Sequence, residues 1–147
     1  MIKVITYELI YPIWEAYLWH NRTSTITTTS AMDYLGGYHM DNMIFTPTFF
    51  GYFEDNNLVG VNSGHRCRDN SYRSRGLYVH VSYRKKGIAT SLLKSTIAQG
   101  FKENCIYVWS YPKQSSWTAY QNAGFSLSSE WEDSELGKNA YCKIDLV

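Results

Sequence analysis

The stretch Leu77 to Thr90, LYVHVSYRKKGIAT, constrains the chain more than any other. Leu77, Val79 and Val81 alternate with other residues, as on one face of a strand. A basic turn follows, Tyr83-Arg84-Lys85-Lys86-Gly87. Then Ile88, Leu92, Leu93 and Ile97 make an apolar stripe of helical period. A strand that passes through a short turn straight into a helix leaves the first helical N–H groups without intrahelical partners, beside the positive end of the macrodipole. Gly87 lets a ligand approach the backbone, and Ala89 is too small to block it. Such a turn suits a pyrophosphate, with each hydrogen bond to a charged group contributing about 1.5–3 kcal/mol. Arg84, Lys85 and Lys86 add charge at its rim. By spacing alone, a plain strand-to-helix turn with solvated lysines fits equally well, because one glycine turn is a weak signal.

Elements on either side extend this unit. Ile2 to Tyr7 alternates as a strand, and Pro12 is expected to open a helix ending near His20. Thr23 to Ser30 reads as a loop, and Ser30 to Leu35 as a short helix stopped by Gly36-Gly37. Pro47 to Glu54 and Leu58 to His65 form a hairpin around Asp55-Asn56-Asn57. Arg68 to Ser74 reads as a turn and Arg75 to Val81 as a strand. The helix after Gly87 is expected to end at Gly100, followed by a strand from Cys105 to Ser110. Ser115 or Ser116 caps a short helix through Tyr120 to Ala123. Phe125 to Ser128 and Ala140 to Leu146 are closing strands around an acidic loop, Ser129 to Asn139. Helices between the later strands imply parallel pairing there and hairpins imply antiparallel pairing elsewhere, so a mixed α+β sheet follows.

Composition bounds the function. At 147 residues the chain makes one domain, and with 44% hydrophobic and 18% charged residues it can bury a core. A net charge of +1 gives no general pull toward nucleic acid or an anionic membrane, so neither is an expected partner. Cys67, Cys105 and Cys142 have neither metal-ligand spacing nor an even count, which points to reduced thiols, a cytoplasmic location and no metal. No secretory signal is read at MIKVITYELIYP, and no run approaches the roughly 18 apolar residues of a membrane span.

Two motifs carry a resemblance. Tyr83-Arg84-Lys85-Lys86-Gly87-Ile88-Ala89 resembles the Arg/Gln-x-x-Gly-x-Gly/Ala signature of the GNAT superfamily of acyl-CoA-dependent N-acyltransferases. Downstream, Tyr120-Gln-Asn-Ala-Gly124-Phe125 resembles that family's Tyr-x-x-x-Gly-Phe. The motifs span Leu77 to Phe125 in the family's order, and the element order is similar across essentially the whole chain, 1–147. The resemblance implies a single GNAT-like domain: a mostly antiparallel sheet of about six to seven strands with flanking helices, whose fourth and fifth strands run parallel and splay apart. It implies acetyl-CoA as acyl donor and an amine as acceptor, either a small molecule or a protein, with a small molecule favoured. A homodimer is compatible with it.

Residue by residue, the resemblance gives the amides from Arg84 through Lys85, Lys86, Gly87, Ile88 and Ala89 to Thr90 to the pyrophosphate. It gives the backbone of Leu77, Tyr78 and Val79 to the pantetheine arm, with the Val79 N–H aimed at the thioester oxyanion. Tyr120 matches the family's proton donor to the departing sulfur. Since its ordinary pKa of about 10 exceeds that of a thiol, it is expected to act chiefly as a hydrogen-bond donor. Lys113 stands where the family often has a cofactor-touching Asn, and is expected to face water.

Removing a proton from an alkylamine at pH 7 costs roughly 4–5 kcal/mol, so the base is the harder problem. Where family members place a carboxylate on the fourth strand, this chain has Arg73, Ser74 and Arg75. Glu54 and His65 are the remaining base candidates, ranked equally, with ordinary structural roles as the competing account. His80 alternates with Val79 and is expected to be buried against a helix. Arg66, Arg68, Arg73 and Arg75 read as a solvated hairpin end, or more sharply as a grip on an acceptor carboxylate or phosphate. Without a base, the alternative is a non-catalytic acyl-CoA-binding module acting as a sensor or scaffold.

Overall fold

The computed structural model describes residues 1–134 and 137–147. Its centre is one seven-stranded sheet. Five strands come from β1 (Ile2–Ile5), β2 (Thr48–Glu54), β3 (Asn57–Arg66), β4 (Tyr72–Val79) and β5 (Tyr107–Ser110). The others are β6 (Ser126–Leu127) and β9 (Cys142–Asp145), and the order is β1-β2-β3-β4-β5-β9-β6. Every neighbouring pair is antiparallel except β4–β5, which is parallel. A separate hairpin joins β7 (Glu132–Ser134) to β8 (Gly137–Asn139). The fold is therefore mixed α+β, with the fourth and fifth strands parallel, as the sequence implies.

Side-chain alternation along β4 sorts the two faces. Tyr72 and Ser74 turn toward α2 (Ile88–Lys102): Tyr72 packs with Leu93, and Asn62 Nδ2 ties Ser74 Oγ to Thr96 Oγ1 at 2.9 Å each. Arg73 and Arg75 turn the other way, under α1 (Tyr7–Ile13), the π-helical turn Trp14–Leu18 and the segment that follows. Ile10, Trp14, Phe49 and Val61 form the core on that side. The face of α2 carries a second core with α3 (Trp117–Asn122), built on Leu93, Val108, Tyr120 and Phe125.

A bulge marks the middle of β4. Val61 pairs with Tyr78 and Ser63 with Arg75, so Gly76 and Leu77 together oppose Asn62. Gly76 takes φ +80°, and its carbonyl accepts from Trp14 Nε1 at 2.9 Å. A Cβ there would sit 2.3 Å from that indole nitrogen, so the bulge requires glycine twice over, by conformation and by contact.

Several expectations need correction. β4 starts at Tyr72 rather than Arg75, because Cys67 N–H closes on Ser71 O and confines the turn to the residues before it. Two arginines hidden on a strand face made that segment read as a turn. No helix forms over 30–35: Met32 bridges Tyr38, Asp33 N–H bonds Gly37 O, and Leu35 takes φ 68°. The helix placed after Pro12 instead begins at Tyr7, with Pro12 inside it and the chain passing into a π turn once that N–H is missing. Gly100 lies within α2, where a Cβ would come 3.0 Å from Tyr72, and the helix runs on to Lys102. The acidic segment read as a loop contains β7 and β8; positions 135 and 136 within it lie outside the described residues. His80 is exposed, not buried, its Nδ1 accepting from Ser82 N–H at 3.1 Å.

Candidate active site

β4 and β5 pair at Tyr72↔Val108 and Arg73↔Trp109 and nowhere else. β4 continues to Val79 while β5 ends at Ser110, so the sheet parts between them. A cleft of about 1130 Å³ opens at this parting. β4 contributes Arg73, Ser74, Arg75, Gly76 and Leu77; the segment before β2 contributes Trp19, Arg22, Thr27 and Ser30; the β5–α3 side contributes Ser110, Tyr111, Lys113 and Tyr120. Lys113 is half-buried and lines the cleft rather than simply facing water.

Where β5 leaves, side chains replace the missing ladder. Ser110 Oγ donates to Ser74 O at 2.8 Å and lies 3.1 Å from the Tyr120 hydroxyl. With the serine proton committed to the carbonyl, the Tyr120 O–H donates to Ser110 Oγ. Burial pushes the Tyr120 pKa up to about 12, so the phenol keeps its proton at any physiological pH. It is a buried, protonated donor held at the mouth of the gap.

Two buried guanidiniums stand beside it. Arg73 and Arg75 are 7% and 4% exposed. Arg73 Nη1 donates to Ser30 Oγ and Arg75 Nη1 to Thr27 O, both at 2.9 Å. Arg73 lies over Trp109, and Arg75 between Trp14 and Trp19, 4.8–5.0 Å from the ring centres. Burial lowers the pKa of both, that of Arg75 to about 9 with Arg73 as a further cause.

At the far end of β4, His80 N–H donates to Val59 O. By ladder alternation the polar groups of Val79 then point away from β3, toward the parted side, where Val79 O accepts from Arg84 Nε at 2.8 Å. Beyond lies Gly87, at φ +80°, with open space where a side chain would stand. It precedes α2 without a side-chain cap, leaving the opening amides of that helix available.

A model of the Acetyltransferase (GNAT) family matches residues 13–125, the span holding the gap, the α2 turn and Tyr120. The chain belongs to the GNAT acetyltransferase family. Solved structures share the GNAT fold at low identity. An acetyltransferase of the GNAT family from Staphylococcus aureus Mu50 is 17% identical, with TM-score 0.67 and 100% of each chain covered. A Bacillus subtilis acetyltransferase in complex with CoA is 16% identical, with TM-score 0.63, covering 99% of this chain and 98% of its own. The yncA protein of Salmonella typhimurium, solved with its cofactor acetyl-CoA, is 13% identical, with TM-score 0.70, covering 100% and 94%. No curated protein matches the chain significantly.

Within this GNAT domain the residues singled out from the sequence separate. Leu77 and Tyr120 line the cleft. Tyr78, Val79 and the Arg84–Thr90 turn lie farther along β4 and at the start of α2. The two base candidates fall elsewhere. Glu54 ends β2 opposite Asn57, at the hairpin turn, and does not line the cleft. His65 is fully buried, its Nε2 accepting from Ser30 N–H at 3.4 Å and its Nδ1 3.0 Å from Arg66 O. Burial lowers its pKa to about 3, so it is a neutral structural histidine behind the cleft. Sequence reading missed the burial of Arg73 and Arg75 and the part played by Ser110. The period-two run Tyr72-Arg73-Ser74-Arg75 carried the first; nothing local carried the second.

Proposed function

We propose that this GNAT domain is an N-acetyltransferase that uses acetyl-CoA and a small-molecule amine. The observation that carries this reading is the protonated Tyr120 hydroxyl lining the cleft where β4 and β5 part, with the uncapped α2 turn following the far end of β4. The site fits the donor: α2 opens with free amides behind a left-handed glycine, next to Arg84, Lys85 and Lys86. Those amides, from Gly87 to Thr90, would hold the pyrophosphate, and the backbone of Leu77 to Val79 along the parted side of β4 would take the pantetheine arm. Acetyl-CoA supplies an activated thioester that an unprotonated amine converts to amide and free thiol.

The chain's own residues do the rest. The Val79 N–H, turned toward the gap, is a fixed donor for the charge that develops on the acyl oxygen. When the thioester binds, the Tyr120 O–H turns from Ser110 Oγ, which holds it within reach until then, and donates to the leaving sulfur. Among the described residues lining the cleft there is no carboxylate to serve as base. Instead the summed positive field of Arg22, Arg73, Arg75 and Lys113, all lining the cleft and more than one anion would offset, disfavours the ammonium form of a bound amine and lowers its pKa by like-charge repulsion. The proton then leaves to solvent as the neutral amine enters.

The absent carboxylate also supports the second reading, an acyl-CoA-binding module without turnover. Thermal-shift titration with coenzyme A, followed by thiol release from acetyl-CoA across an amine panel, separates the two. Stabilisation together with amine-dependent thiol release is expected. Stabilisation with no thiol release from any amine would leave the module; no stabilisation would remove both.

A further inference from the structure

Arg73 and Arg75 are not explained by the fold. Among the described residues the ion pairs are Arg68–Asp33, Lys143–Asp145 and His39–Asp41, all away from these two. A buried charge is ordinarily paired, because low-dielectric surroundings penalise a lone one. Here each guanidinium meets only neutral partners, a serine hydroxyl, a backbone carbonyl and indole faces. Arg73 Nε is buried with no hydrogen-bond partner at all. Both side chains line the cleft, on the face of the sheet opposite α2.

We propose that the acceptor amine carries a carboxylate, which Arg73 and Arg75 hold. This rests on the acetyltransferase reading above and names its acceptor class, an amino-acid-sized molecule. Each guanidinium lies over indole rings and spends only its Nη1 on the protein, leaving further donors, the unpartnered Arg73 Nε among them, and a planar carboxylate matches a guanidinium edge with two parallel bonds. A phosphate is a poorer match. Phosphate sites surround a dianion with backbone N–H groups, whereas the Thr27 carbonyl stands against this pair. The size follows from placement. The Tyr120 hydroxyl bonds Ser110 Oγ, which in turn donates to the carbonyl of Ser74, the residue between the two arginines. Leu77, which also lines the cleft, lies just past Arg75 across the bulge. Carboxylate and amine are thus separated by a few bonds.

The test uses the whole chain and matched ligands: N-acetylglycine, N-acetyl-β-alanine and 4-acetamidobutyrate, each beside its carboxamide, with N-acetylated phosphoethanolamine as the phosphate arm. Binding is read by tryptophan emission, since Trp14, Trp19 and Trp109 touch the guanidiniums. The corresponding free amines are then compared for turnover. At least one carboxylate is expected to bind about tenfold or more tighter than its amide, and to lose about tenfold of that preference in Arg73→Gln or Arg75→Gln. Equal binding of acids and amides, tighter binding of the phosphate arm, or a preference that survives both substitutions overturns the proposal. If a variant does not fold, the wild-type pairs decide. Coenzyme A titrated in the same assay keeps the two readings apart: cofactor binding without acid preference sinks only the present inference, whereas failure of the cofactor to bind sinks the reading beneath it.

Discussion

Tyr120 combines two properties that seldom coincide, complete burial and a hydroxyl within reach of a polar cleft. Its pKa is raised to about 12, so a high-pH loss of activity from its ionisation is expected only as pH approaches that value. Tyr120→Phe removes one donor to a charged sulfur, worth about 1.5–3 kcal/mol. A ten- to hundredfold drop in kcat is roughly what that energy implies, with coenzyme A affinity near that of the parent. Steady-state kinetics beside cofactor titration checks this, and a fully active Phe variant would remove Tyr120 from the mechanism. His65 lies at the other extreme. Its folded pKa of about 3 lies below its ordinary value of 6.5, so the unfolded chain binds the proton first as pH falls. The stability it contributes is complete above pH 6.5 and is lost progressively toward pH 3. Melting temperatures across that window should fall, and should fall less steeply in His65→Gln; parallel profiles would show that the imidazole stays uncharged for no energetic gain.

At the level of elements, the bulge in β4 sets where the cleft begins. Gly76→Ala would force a methyl into the Trp14 indole and strain a left-handed backbone, and would threaten the Trp14–Gly76 bond. A loss of about 2–4 kcal/mol in urea unfolding is expected. A change below about 0.5 kcal/mol would mean that the bulge relaxes freely. The same element shows what a sequence reveals and hides. The α2 stripe and the Gly87 turn are legible because a helical period and a positive-φ glycine are local signals. The hairpin of β2 and β3 is legible for the same reason. The start of β4 was not, because Arg73 and Arg75 face inward and charge usually marks the solvated side of a strand. The short pairs β7 and β8 are polar throughout and offer no apolar alternation to read. For the site, Tyr120 was marked by its motif, whereas the partnership of Ser110 with Ser74 depends on strands meeting across 36 positions of chain.

Taken whole, the molecule is a sheet nearly divided in two. Only two ladder pairs join β4 to β5; Ser110 Oγ on Ser74 O, Trp109 Nε1 on Ser71 Oγ and the packing of α2 against α3 and β5 complete the bridge. A long, thin ligand lying in that seam would serve as mortar, lending its amides where the protein withheld a strand. Hydrogen exchange then becomes a gauge of occupancy. The Val79 amide, turned toward the gap, should exchange quickly in the empty protein and slow markedly once coenzyme A is added, while β1 and β2 keep their rates. If it turns over as proposed, the protein would borrow its final strand from the acyl donor and give it back after every cycle.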